Sequence, residues 1–159
     1  MSSSLRLTAR VLPVSDADEV LLLQDQDPAE PGVLRWGSIG GAVDPGESLV
    51  DAALRELREE TGIEGTSGAL TVFHWFTYEF SWDGAHYVAD ATFFAMPLDR
   101  DVDVSFNGLE PAEIGNVVAA RWWTASDLER DGTAVAAEMP EIMRAAVRAV
   151  RDRVDQGDT

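Results

Sequence analysis

The sequence predicts an α/β fold: a mixed β-sheet covered by helices. Three observations carry this. Strand-like and helix-like segments both occur, without strict alternation, which points away from a purely parallel sheet. Residues 70–82 and 86–98 are rich in aromatic and β-branched residues and flank Asp83-Gly84, the pattern of an antiparallel hairpin. Residues 48–61 carry apolar residues at helical spacing between a candidate N-cap and a glycine stop. A chain of 159 residues suits one domain with one sizeable core, taken as 1–159.

The elements follow in order. Leu5, Leu7, Ala9 and Val11 alternate with polar residues, so a first strand is expected near residues 5–14. Val20-Leu21-Leu22-Leu23 reads as a short buried strand within 19–24. Residues 25–35 are polar, with Pro28, Pro31 and Gly32, and read as a loop. The stretch from Trp36 to Gly41 leads into Asp44-Pro45-Gly46, a turn with Pro and Gly at its centre. Ser48 is placed to cap the helix that follows, and Gly62 to stop it. After the hairpin, 99–116 is polar and reads as a loop, and 117–123 as a last strand. Thr124 or Ser126 caps a short helix, and Pro140 fits the first turn of a final helix reaching about Val154.

Composition narrows function. Twelve basic residues, all arginine, face 29 acidic ones, for a net charge of −17. A polymer of phosphates needs a cationic surface, so a nucleic-acid partner is not expected. A small phosphorylated ligand remains compatible, held by divalent cations and a few local arginines. No apolar run is long enough to span a membrane. The first ten residues hold no long apolar stretch and no small-residue cleavage site, so a secretory leader is not expected, and with cysteine absent the cytoplasm is the default expectation. Oligomeric state is left open, a homodimer included.

The helix over 48–61 carries the chemistry. On a wheel of about 100° per residue, Leu49, Val50, Ala53, Leu54, Leu57 and Thr61 form a core-facing stripe. Glu56, Glu59 and Glu60 fall along one edge of it. Like charges at such spacing repel, and they sit toward the helix C-terminus, where the macrodipole disfavours them. Local rules broken twice in one place point to function. A hard divalent cation, Mg²⁺ or Mn²⁺ rather than Zn²⁺, would reverse both terms, because every nearby ligand is oxygen. A solvated acidic face is the alternative, with Asp51 and Arg55 as a favourable pair. Gly40-Gly41, which lets backbone approach a ligand, and Glu47 just before the helix weigh against it.

At this point the sequence resembles the Nudix hydrolase family. Its pattern G-x5-E-x7-R-E-U-x-E-E-x-G-U, with U a bulky aliphatic residue, is met in full from Gly41 through Glu47, Arg55, Glu56, Glu59 and Glu60 to Gly62 and Ile63. Trp36, Gly40, Arg121-Trp122-Trp123 and Asp127-Leu128 also look like the family. Ile39 departs from it, standing where many members have proline, a change that bears on loop rigidity. The resemblance implies an α/β/α sandwich and hydrolysis of a phosphoanhydride in a nucleoside diphosphate linked to a further group X. It implies that Glu56, Glu59 and Glu60 hold metal, with the Gly40 carbonyl as a further ligand. Glu56 would also act as general base, and Arg55 would orient a carboxylate, Glu59 being the candidate. Glu47 would support the loop–helix junction or an outer metal.

Beyond that motif, Glu113 is the candidate for a further acid from the loop before the last strand, with Glu110 beside it. Arg35 and Trp36 are candidates for contact with a phosphate and a base, with a core plug as the other reading of Trp36. Tyr78 lies about where some family members that cut dinucleoside polyphosphates have a tyrosine. His74 and His86 read as ordinary strand positions. The alternative to an enzyme is a non-catalytic nucleotide-binding or regulatory module, but such modules lose motif acids and none is lost here.

Overall fold

The computed structural model describes residues 4–157. The first strand, β1, runs Ser4–Val14, and β2 runs Val20–Asp25. Two short strands follow, β3 (Arg35–Gly37) and β4 (Ile39–Ala42), then helix α1 (Leu49–Thr61). A single 3-10 turn precedes the long hairpin of β5 (Thr71–Trp82) and β6 (Ala85–Pro97). Strand β7 (Val117–Trp123) and helices α2 (Ala125–Asp131) and α3 (Met139–Gly157) complete the chain.

The sheet runs β3-β2-β1-β6-β5, with β4 also paired to β1 and β7 to β2. It is mixed: β1 and β6 are parallel, and the other pairs antiparallel. The hairpin turns on Asp83 (φ 50°) and Gly84 (φ 80°), the paired positive angles whose twist matches that of the flanking strands. Thr124, not Ser126, caps α2, its side chain accepting the Asp127 amide.

One face of the sheet is covered by α3, which sets Met139, Ile142, Met143, Ala146 and Val150 against Leu12, Leu22 and Phe93. The opposite face is covered by α1, whose Ala52, Ala53 and Leu57 pack on Ala9, Val11, Ile39 and Phe94. The result is the α/β/α sandwich. Two local expectations change. Leu5 and Leu7 are 71% and 47% exposed, because the α1 side buries only the later residues of that β1 alternation, Ala9 and Val11. The buried stripe of α1 is Ala52, Ala53, Glu56, Leu57, Glu60 and Thr61, rotated onto the acidic edge, while Leu49, Val50 and Leu54 are only half-buried.

Candidate active site

Helix α1 starts and stops where its caps require. The Ser48 hydroxyl accepts the Asp51 amide at 3.0 Å, and Gly62 closes the last turn at φ 75°, its amide donating to the Arg58 carbonyl at 2.8 Å. Two glycines bring the preceding strand against the helix. Gly40 has φ 144°, and a Cβ there would lie 2.2 Å from the Ala9 carbonyl oxygen. A Cβ on Gly41 would lie 2.7 Å from Glu56 Oε1, so only glycine admits the carboxylate so close to the backbone.

Glu56 and Glu60 are buried, at 7% and 5% exposure. Charges this buried are tolerated only with partners. Arg55 supplies most of them. Its guanidinium donates to Glu47 at 2.8 and 2.9 Å, to Glu56 at 3.0 Å, to Glu59 at 3.2 Å and to the Ala42 carbonyl at 2.9 Å. The expected pair with Asp51 does not form; Arg55 turns toward the loop instead, reaching Asp44 at 3.5 Å. Its hydrogen bonds, with one from the Asp44 amide, hold Glu47 down at about 2. Glu60 accepts the Gly40 amide at 2.9 Å. Burial pushes the Glu60 carboxyl well above the usual range, and the neighbouring Glu56 pushes it further. Burial and then the Glu56 charge also raise Glu59 and Glu113.

Arg10 is a member of this group that the strand pattern of β1 did not single out. It donates to the Gly40 carbonyl at 3.1 Å, to the Ser38 carbonyl at 3.4 Å and to the Tyr78 hydroxyl at 3.5 Å. Burial alone would lower its pKa, but Tyr78 and Glu60 more than reverse this. Its parity in β1 was the available signal: it shares a side with Leu12 and Val14, both buried.

Next to Arg10 opens a cleft of about 560 Å³. Arg10 and Asp25 line it, Phe76, Tyr78, Phe80 and Trp82 form an aromatic wall, and Val135, Met139 and Ile142 lie across from them. Asp25, also missed in the sequence, is pushed up to about 6 by burial, with Arg10 opposing.

The candidates named from sequence are distributed as follows. Glu47, Arg55, Glu56, Glu59 and Glu60 form one hydrogen-bonded and electrostatic group with Gly40 beside them, and Glu113 comes within electrostatic reach of Glu56. Glu47 bonds Arg55 and the Asp44 amide at the loop–helix junction. Arg35 and Tyr78 line the cleft. Trp36 does not: it is 7% exposed and meets Trp123 edge-on at 5.5 Å, so it is the core plug and the expected base contact is corrected. The donor set suits a hard divalent cation, being all oxygen with two buried carboxylates whose repulsion a cation would relieve. Among the described residues no three acidic or imidazole groups already surround a common ion-sized space. Arg55 and the Gly40 amide hold the carboxylates instead.

A curled mixed sheet whose glycine strand backs onto an acid-edged helix is a family arrangement. The NUDIX domain family model matches residues 4–146, and the chain belongs to that family. The asymmetrical bis(5′-nucleosyl)-tetraphosphatase of Mus musculus is 45% identical over 64 residues, 40% of this chain and 40% of the relative. The CTP pyrophosphohydrolase of Escherichia coli (strain K12) is 38% identical over 64 residues, 40% of this chain and 47% of the relative. The chain thus spans less than half the length of either. Among solved structures, a Caenorhabditis elegans Ap4A hydrolase binary complex is similar with a TM-score of 0.59 and 25% identity, over 88% of this chain and 93% of that one. A Nudix-family hydrolase from Clostridium perfringens reaches a TM-score of 0.64 at 16% identity, over 90% and 96%, a likeness of fold alone.

Proposed function

We propose that the chain is a divalent-metal-dependent pyrophosphohydrolase that cleaves a phosphoanhydride of a nucleoside diphosphate linked to a group X. The observation that carries this is the buried Glu56–Glu60 pair, ringed by Arg55, Glu59 and Glu113 and joined to the cleft through Arg10, which lines the cleft and bonds the Gly40 carbonyl. The names of the relatives, a dinucleoside tetraphosphatase and a nucleotide pyrophosphohydrolase, support the same chemistry. In this reading the enzyme works in the cytoplasm on a small nucleotide.

Glu56, Glu59 and Glu60 would hold Mg²⁺ or Mn²⁺, with the Gly40 carbonyl beside them. When bound, the metal neutralises phosphate charge and lowers the pKa of water. The chain's own residues supply the rest. Glu56 accepts the proton as water oxygen bonds to phosphorus and the bridging P–O bond breaks, which yields a nucleoside monophosphate and the phosphorylated group X. Arg55 fixes the Glu56 and Glu59 carboxylates, and Glu47 fixes Arg55. Arg10 and Arg35 line the cleft as the cations nearest a bound diphosphate.

The test is a panel of nucleoside triphosphates, sugar nucleotides, ADP-ribose and dinucleoside polyphosphates. Turnover of at least one is expected with Mg²⁺ or Mn²⁺, not with Zn²⁺ at equal concentration, and none in excess chelator. Glu56→Gln should lower kcat about 10²–10⁴-fold with little change in KM, the loss of a general base. Binding without turnover across the panel would overturn this reading in favour of a nucleotide-binding module.

A further inference from the structure

We propose that Asp25 reads the base in this cleft, and that the carboxylate selects guanine. The inference rests on the site reading above for what lies beside the cleft, and adds which base enters it.

The observations are local to the end of β2. The ladder between β2 and β7 slips at Gln24/Asp25. The extra residue is Val118 of β7, so Asp25 lies opposite a bulge, and bulges concentrate beside active sites. Asp25 is half-buried and lines the cleft. No described residue donates a hydrogen bond to its carboxylate, whereas Asp27, two residues on, is occupied by the Ala29 and Asp83 amides at 3.0 and 2.7 Å. A desolvated carboxylate without a donor is costly, and burial raises Asp25 accordingly. A ligand bringing N–H groups would relieve that cost.

The cleft says what kind of ligand. Phe76, Tyr78, Phe80 and Trp82 offer a wall on which a planar ring can pack. Arg10 stands at the end nearest the acids, joined to the Gly40 carbonyl, and so marks where the diphosphate lies. Asp25 and Arg10 feel each other's charge, which puts base reader and phosphate reader in one cleft. A carboxylate offers two acceptors side by side and no donor. Guanine presents two adjacent donors, N1–H and the 2-amino group. Adenine presents one amino group between two ring-nitrogen acceptors, cytosine one amino group beside a single ring-nitrogen acceptor, and uracil a single N–H flanked by carbonyls. Two donors against two acceptors is the best match.

The experiment is equilibrium binding of GDP, IDP and ADP to the full chain with Mg²⁺, by calorimetry, on the wild type and Asp25→Asn. In the wild type GDP should bind about tenfold or more tighter than ADP, with IDP, which lacks the 2-amino group, between them. Asp25→Asn should weaken GDP about tenfold and leave ADP unchanged or tighter. Equal affinity for GDP and ADP in the wild type overturns the proposal without needing any variant. So does equal weakening of all three by Asp25→Asn, which would mark a role in holding Arg10. Turnover without base preference would sink the Asp25 proposal and leave the hydrolase standing; base preference without turnover would do the reverse.

Discussion

Helices α1 and α3 cover opposite faces of one sheet and were built under different rules. Helix α3 obeys local physics over most of its length, its last turn, with Asp155 and no basic residue, excepted. Its apolar residues Met139, Ile142, Met143, Ala146 and Val150 repeat at helical spacing, Glu141 sits in the first turn where the macrodipole favours it, and Arg144 pairs with Glu141 and Glu129. Helix α1 buries a comparable apolar stripe but carries Glu56, Glu59 and Glu60 toward its C-terminal end, two of them buried. The covering helix that carries none of the site's acids stays largely consistent, while giving Met139 and Ile142 to the cleft, and the one that carries the acids gives that consistency up along a single edge. Stability and the acid chemistry are thereby separable on the sheet's two faces, while the cleft draws on the α3 side.

The largest expected effect tests that separation. Met143→Ala and Leu57→Ala each remove a fully buried side chain and should each cost about 2–5 kcal/mol in chemical denaturation. Met143→Ala should leave the turnover of the folded protein intact. Leu57→Ala should depress it, because Leu57 seats the turn that carries Glu56 and Glu60. Equal loss of turnover in both would show that the two faces are not separable.

Next in size is the effect of metal on stability. A divalent ion at ~100-fold excess over its dissociation constant should add about 2.7 kcal/mol. For a domain of this size that is roughly 5–10 °C in Tm. Because Glu60 is raised in the folded state, ionising it at neutral pH disfavours the fold, so Glu60→Gln should raise the metal-free Tm while abolishing the Mg²⁺ increment. Thermal melts at fixed ionic strength measure both. An equal Mg²⁺ shift in both proteins would mean that the ion acts on the diffuse charge of −17 and not on α1.

The smallest effect concerns acid. Glu47 is depressed to about 2 by Arg55, so the stability it contributes is complete above its ordinary value of 4.5 and lost as pH falls toward 2. Glu47→Gln should therefore be less stable than wild type at pH 7, with the gap closing through that window. A gap that persists undiminished at pH 2 would assign the loss to packing.

Much of this was legible from local patterns. The long hairpin announced itself through aromatic strands around Asp83-Gly84, and α1 through its period, its Ser48 cap and its Gly62 stop. Strands β3 and β4 were not, because at three and four residues, three of the seven being glycine, they have too little pattern to read. The acids of α1 were found because they break a local rule. Arg10 and Asp25 were missed because each obeys one: a polar residue in an alternating strand, and an acid at a strand end. Their meaning comes from what the topology sets beside them.

The bonds of Arg10 bear on how the molecule comes together. They reach Gly40 and Tyr78 across 30 and 68 residues of chain, while Gly40 in turn binds Glu60 across 20. Closing loops of that length carries entropy that only a nearly complete sheet can offset. The finished site is therefore a late product of folding, and an ion that recognises it has nothing to grip in the earlier, open chain. Such an ion cannot seed the fold. It acts as a latch, leaving the rate of folding untouched and slowing the rate of escape.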